Sequence, residues 1–228
     1  MAPNNSKPAG LLKAYLITYN LLSALGWSHI LARTLRHLLQ RPTSPISPTL
    51  RTQASTTYDT VGKEVMYVQT AAILEMIHAL LAWVKSPLLV TGSQVITRLL
   101  FVWGIIGRFR NAQICPSYAH MILIWSMAEL TRYPFYALSL LSFKPKLLTY
   151  LRYTLFYVLM PCGGVFEYLV ISSTLPSWKE FVEGRWKFGD FWRLSLILIG
   201  FPGVIMLYRQ RIVESRKVLG SMHSSPQK

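Results

Sequence analysis

The chain has 228 residues, of which 52% are hydrophobic and only 14% charged, with a formal net charge of +15. Soluble domains average about 25% charged residues, so the composition argues against an ordinary soluble globular domain. The cations are scattered over loops and termini without a dense basic face. That argues against nucleic-acid binding and for loops lying at anionic membrane surfaces.

In chain order, Met1–Gly10 is short and polar. The apolar block behind it, Ala14–Ala32, is too long for a signal peptide and lacks a small-residue cleavage site, so it predicts a retained first span. Residues 33–64 form a linker containing Arg41-Pro42-Thr43-Ser44-Pro45-Ile46-Ser47-Pro48; its Pro and Ser/Thr content predicts a mobile loop. Val65–Val84 and Ser86–Gly107 follow, separated only around Lys85-Ser86-Pro87 as a tight helical hairpin. Next come Ser117–Phe143 and Leu147–Leu175. The segment Pro176–Lys187 carries Trp178, Phe181 and Trp186, aromatics suited to anchoring at the membrane interface. Phe188–Tyr208 is the last block, followed by a basic tail over 209–228.

Each block approaches or exceeds the roughly 20 residues needed to cross a bilayer as helix. None shows the period-two alternation of a barrel strand. The expectation is an all-α, polytopic membrane protein, a bundle of about six transmembrane helices forming a single domain over 1–228. No internal repeat of the transporter type is visible. With six spans the termini share a side, and the loop cations divide ten against ten between the two sides. The positive-inside rule therefore gives no bias, and the basic tail is the ground for expecting cytosolic termini.

Charged groups in hydrocarbon cost at least ~2.5–3.5 kcal/mol each on insertion scales, so they need a reason to be there. This chain keeps Glu75, His78, Arg98, Glu129, Arg132, Arg152 and Glu167 within its blocks, with Arg193 near a block end. Glu75 and His78 are three apart, as are Glu129 and Arg132, so each pair shares a helix face. Tyr133 and Tyr136 lie on or near the second face. Arg98 is alone in its block and needs a partner on another helix. Arg152 lies where it can snorkel to headgroups. It is also about 22 Å along a helix from Glu167, too far for a direct pair. The three carboxylates and three guanidiniums suggest mutual pairing in a polar interior.

The fifth block is the most informative. Tyr153, Tyr157, Met160, Gly164 and Glu167 fall at i, i+4, i+7, i+11 and i+14, one helical stripe. Pro161-Cys162-Gly163-Gly164 interrupts it. Proline frees a carbonyl and kinks a helix, and the glycines permit close helix approach. Cys115 and Cys162 are too few for a disulfide scaffold or a zinc site. The residues six beyond them, Met121 and Tyr168, exclude the cysteine–arginine loop of a cysteine phosphatase. Residue types alone define a polar intramembrane site and no more.

The order and spacing of several fragments carry a resemblance over about Tyr15 to Val218. The fragments are Tyr19-Asn20 with Gly26-Trp27; Gln69-Thr70 through Glu75 and His78; Ser86-Pro87 with Gln94 and Arg98; Trp125 with Glu129, Arg132-Tyr133 and Phe135-Tyr136; Leu151 to Thr154 with Phe156; and Pro161, Gly163 and Glu167. The chain resembles the membrane-embedded very-long-chain (3R)-3-hydroxyacyl-CoA dehydratases, also labelled protein-tyrosine-phosphatase-like. The resemblance implies a six-span lyase of the endoplasmic reticulum membrane. It implies dehydration of (3R)-3-hydroxyacyl-CoA to trans-2-enoyl-CoA, the third step of very-long-chain fatty acid elongation. No metal or redox cofactor is implied. The implied partners are the acyl-CoA substrate, the lipid bilayer and the other elongase enzymes: condensing enzyme, ketoacyl reductase and enoyl reductase.

The family's catalytic pair is a Tyr directly before the Pro and a Glu seven residues after that Tyr. Glu167 matches the Glu, but Met160 stands at the Tyr position, and a thioether cannot transfer a proton. Three outcomes stay open: Tyr157 substitutes as the phenol, Glu167 works slowly with water, or the chain is a catalytically impaired scaffold or regulator of the elongase. Glu75, Arg98, Glu129, Arg132, Tyr133, Arg152, Tyr153 and Gly163 are expected to form the supporting polar interior of the bundle, with Glu167 transferring the proton.

Overall fold

The computed structural model describes residues 10–40, 50–84 and 88–224. Every regular element among them is helical, the arrangement that satisfies backbone hydrogen bonds within each segment. Helix α1 spans Gly10–Leu39, α2 Leu50–Ser55, α3 Thr57–Ala71 and α4 Ile73–Leu80. Helix α5, Leu88–Leu99, runs into a π-helical segment, Leu100–Ile106. Then follow α6, Arg110–Gln113, and α7, Pro116–Leu140, with proline in its first turn, where a missing N–H is harmless. The chain ends with α8 Lys146–Thr154, α9 Phe156–Ser172, α10 Trp178–Val182 and α11 Phe188–Ser224.

Helix α7 is the centre of the bundle. It packs on α1 and α9 and also meets α2, α3 and α8. Tyr118, Met121, Ile122, Trp125, Glu129 and Tyr133 are all buried along it. The core continues into Trp27 and Ile30 of α1, Val61 and Val65 of α3, Phe101, Val102, Ile105 and Ile106 of the π segment and Val170 of α9. Helix α1 shows the usual two faces. Leu16, Tyr19, Ala24, Trp27 and Ile30 point inward, while Leu21, Leu22 and Leu25 stay exposed.

Helix α11 runs antiparallel to α8 and α9 and holds them at a bend. Pro161 has no N–H for the carbonyl of Tyr157 four residues back. That carbonyl instead accepts from the Tyr208 hydroxyl at 3.4 Å. The Tyr153 carbonyl, beside the break at Leu155, accepts from Ser215 Oγ at 2.7 Å. The side chains of α11 thus take over hydrogen bonds that the bent helix cannot make itself.

Three features differ from the sequence reading. Among the described residues only Phe188–Gly220 is by itself long and apolar enough to cross a membrane; Lys146–Thr154 and Phe156–Ser172, bent by 41°, pass together. The other blocks fall short because Asn20, His29, Glu129 and Arg132 dilute them, and because helix is broken between α3 and α4 and passes into the π segment after α5. Helix enters the 33–64 linker from both ends, through α1 and α2–α3; Arg41–Thr49 lie outside the described residues, as does the hairpin at Lys85-Ser86-Pro87. The last helix does not stop at Tyr208 but runs to Ser224. Residues 209–219 contain no Gly or Pro to end it, and Ser215 is fully buried against α8.

Candidate functional site: a buried charge network

The site begins with the i, i+3 pair of α7. Arg132 Nε lies 2.7 Å from Glu129 Oε2, a close ion pair whose angle is too poor for a hydrogen bond. Its other end, Nη2, donates to Glu75 Oε1 of α4 at 2.6 Å. The Tyr133 hydroxyl donates to the same oxygen at 2.6 Å, and Tyr19 of α1 reaches it at 3.4 Å. On the far side, Arg98 Nη1 of α5 donates to Glu129 Oε1. Glu129 is only 3% exposed and sits between two guanidiniums, which is how a bundle tolerates a buried carboxylate.

The network ends on a residue of another chemistry. The Arg98 guanidinium lies over the Trp125 ring, 4.6 Å from its centroid. Trp125 Nε1 donates to Glu167 Oε1 at 2.7 Å. Two carboxylates and two guanidiniums therefore balance each other in Glu75, Arg132, Glu129 and Arg98. Glu167 is met by a neutral indole N–H and, among the described residues, forms no ion pair. Gly163, one turn back, is buried; a Cβ there would lie 3.4 Å from Ile124 Cγ2 of α7. This close approach lets Trp125 of α7 reach Glu167 of α9.

Other residues singled out in the sequence lie elsewhere. Arg152 Nη2 donates to the Tyr136 hydroxyl at 2.9 Å, and its guanidinium faces the Tyr136 and Phe135 rings at 5.0 and 5.7 Å. It joins no carboxylate among the described residues. His78 meets the Tyr15 hydroxyl at 2.9 Å and stacks with Trp83. Arg193 pairs with Asp190 and covers the Phe109 ring.

The single stripe from Tyr153 to Glu167 is broken. The 41° bend between α8 and α9 puts Tyr153 on a different axis, edge-on to Phe135. The bend lies N-terminal to Pro161, on the side where a proline ring crowds the preceding turn. Tyr157 packs edge-on against Tyr208. Ten residues separate Tyr157 from Glu167, about 15 Å along the helix, against about 10 Å for Met160. Met160 is half-buried on α9.

Two residues were missed as parts of the site. Trp125 precedes Glu129 by four residues, a spacing that puts both on one face, and this was its only local signal. Tyr19 gave none, because its link to Glu75 depends on how α1 meets α4.

Residues 69–221 match the family model described as protein tyrosine phosphatase-like protein, PTPLA. The chain belongs to this family. It is similar to the very-long-chain (3R)-3-hydroxyacyl-CoA dehydratase hpo-8 of Caenorhabditis elegans, with 37% identity over 219 residues, 92% of this chain and 96% of that protein. It is similar to very-long-chain (3R)-3-hydroxyacyl-CoA dehydratase 2 of Homo sapiens, with 30% identity covering 92% and 82%. A probable dehydratase of the same name in Schizosaccharomyces pombe is 32% identical, covering 90% and 92%. No solved structure matches the chain. Within the PTPLA match fall Glu75, Arg98, Trp125, Glu129, Arg132 and Glu167, the whole charge network.

Proposed function

We propose that this protein dehydrates a (3R)-3-hydroxyacyl-CoA to the trans-2-enoyl-CoA in very-long-chain fatty acid elongation, with Glu167 as the proton-transferring group. The carrying observation is Glu167 at the end of a charge-balanced network centred on the buried Glu129, in a chain of the PTPLA family. Dehydration breaks the C2–H and C3–O bonds, forms the C2=C3 bond and releases water. Glu167 takes the C2 proton as a carboxylate and returns it, now as the acid, to the departing C3 hydroxyl. Arg98 and Arg132 are held in place by Glu129 and Glu75, so their N–H groups are fixed donors for a thioester oxygen as its α-proton leaves.

The chain acts as a bundle of about six spans in the endoplasmic reticulum membrane, with both termini cytosolic. Exposed Leu21, Leu22, Leu25, Ile73, Val165, Leu198 and Ile199 support a lipid-facing surface, because soluble surfaces rarely expose such apolar area. An acyl chain reaches a site among these helices without leaving hydrocarbon. The condensing enzyme, ketoacyl reductase and enoyl reductase of the cycle are its partners.

Met160 favours a second reading, a catalytically impaired member that binds the elongase as scaffold or regulator. The purified protein, incubated with a very-long-chain 3-hydroxyacyl-CoA, separates the two. Formation of enoyl-CoA that Glu167→Gln removes supports the dehydratase. A folded protein with no turnover, before and after Met160→Tyr, supports the scaffold.

A further inference from the structure

A second polar feature shares no residue with the Glu167 network. Near the C-terminal end of α1, a cleft of about 360 Å³ is lined by His29, Arg33, Arg36, His37, Gln40 and Thr60. His29, Arg33, Arg36 and Gln40 follow one another at i, i+4, i+7 and i+11, one face of the helix. Among the described residues one carboxylate answers them: Arg33 pairs with Glu64 of α3. Arg36 has no ion pair or hydrogen bond among the described residues. His37 is occupied by the Gln53 carbonyl and the Thr56 hydroxyl, both at 2.9 Å.

Cations in the last turn of a helix offset its dipole, which accounts for Arg36 or His37 singly. It does not account for two arginines three residues apart, which repel, around an open cleft. A second negative charge is missing there. The same face supplies the rest of the ligand. Continuing toward the middle of α1, the stripe becomes Leu25 and Leu22, both more than 60% exposed. A cationic mouth above an exposed apolar track fits a phosphate head on an acyl tail.

We infer that this cleft binds the phosphate of an anionic amphiphile, a phospholipid with a phosphomonoester headgroup, using Arg36 and Arg33 while the tail lies along Leu25 and Leu22. Thr60 lines the cleft with its hydroxyl on His37 Nδ1 at 3.4 Å. Acyl-CoA carries the same phosphate chemistry and is the other source to be distinguished. The tail half of this inference rests on the bilayer reading above; the phosphate half does not. Short-chain lipids that bind as monomers keep the two apart.

The test is thermal unfolding of the full chain in a nonionic detergent, titrated with dioctanoyl phosphatidic acid, dioctanoyl phosphatidylcholine or coenzyme A. Phosphatidic acid should raise the melting temperature saturably, and phosphatidylcholine should not. Arg36→Gln should weaken the apparent affinity by at least about tenfold, the scale of one lost charge-assisted contact. Because Arg36 is exposed, that variant should fold; Arg36→Lys should keep most of the binding. Stabilisation by coenzyme A, lost in the same variant, would keep the phosphate site and make the CoA moiety its source. Failure of both phosphate compounds, or an undiminished shift in Arg36→Gln, would overturn the inference. Neither result depends on dehydration, so the dehydratase reading stands or falls separately.

Discussion

Glu167 differs from Glu75 and Glu129 in what meets its carboxylate. The latter two are held by guanidiniums, whereas Glu167 is held by the Trp125 indole. The indole N–H fixes the direction of the Glu167 carboxylate through one oxygen and pairs with it as a neutral donor rather than as an ion. Trp125→Phe keeps the ring stack with Arg98 and removes only the N–H. It should lower kcat about tenfold with little change in KM, the scale of one hydrogen bond to a charged group. An unchanged kcat would mean that the indole does not position Glu167. This contact was half legible in the sequence. Trp125 shares a helical face with Glu129 by spacing, but its reach to Glu167 requires α7 and α9 to close over Gly163, a fact of packing. The Glu129–Arg132 pair was legible because both partners are on one helix; that Arg98 would choose Glu129 was not.

At the scale of elements, the bent pair α8–α9 is the part most dependent on its neighbour. Two of its carbonyls are served by side chains of α11, Ser215 at Tyr153 and Tyr208 at Tyr157. Ser215→Ala leaves a partly buried carbonyl without its donor and should cost about 1 kcal/mol, measured by detergent-solubilised unfolding. Tyr208→Phe, at a longer 3.4 Å contact, should cost less. Equal stability of both variants with the parent would show that water or local rearrangement serves these carbonyls. The sequence foretold the freed carbonyl at Pro161 but not its partner. Ser215 falls in a stretch whose Arg, Gln, Glu and Lys residues read as a solvated tail, while the helix carries one buried face through it.

For the whole molecule, the charge network ties α4, α5 and α7 together, and Glu129 is its keystone. Glu129→Ala leaves Arg98 and Arg132 facing each other in the core and should destabilise the fold by about 3–5 kcal/mol. A melting temperature within a degree or two of the parent would mean that the network contributes little. The helical class was legible, because apolar block length survives folding. The number of crossings was not, because the same polar residues that build the interior lower the hydropathy of the helices that carry them. Tags at the two ends should be digested together by protease added to the cytosolic face of sealed microsomes, as six crossings require; digestion of one alone would break that topology.

The most direct test of Glu167's role is a comparison of Met160→Tyr with the double variant Met160→Tyr/Glu167→Gln, both folded and given a 3-hydroxyacyl-CoA. Restoring the phenol should raise enoyl-CoA formation at least about tenfold over the parent, and the double variant should return to background. A double variant that retained the turnover of Met160→Tyr would remove Glu167 from the mechanism.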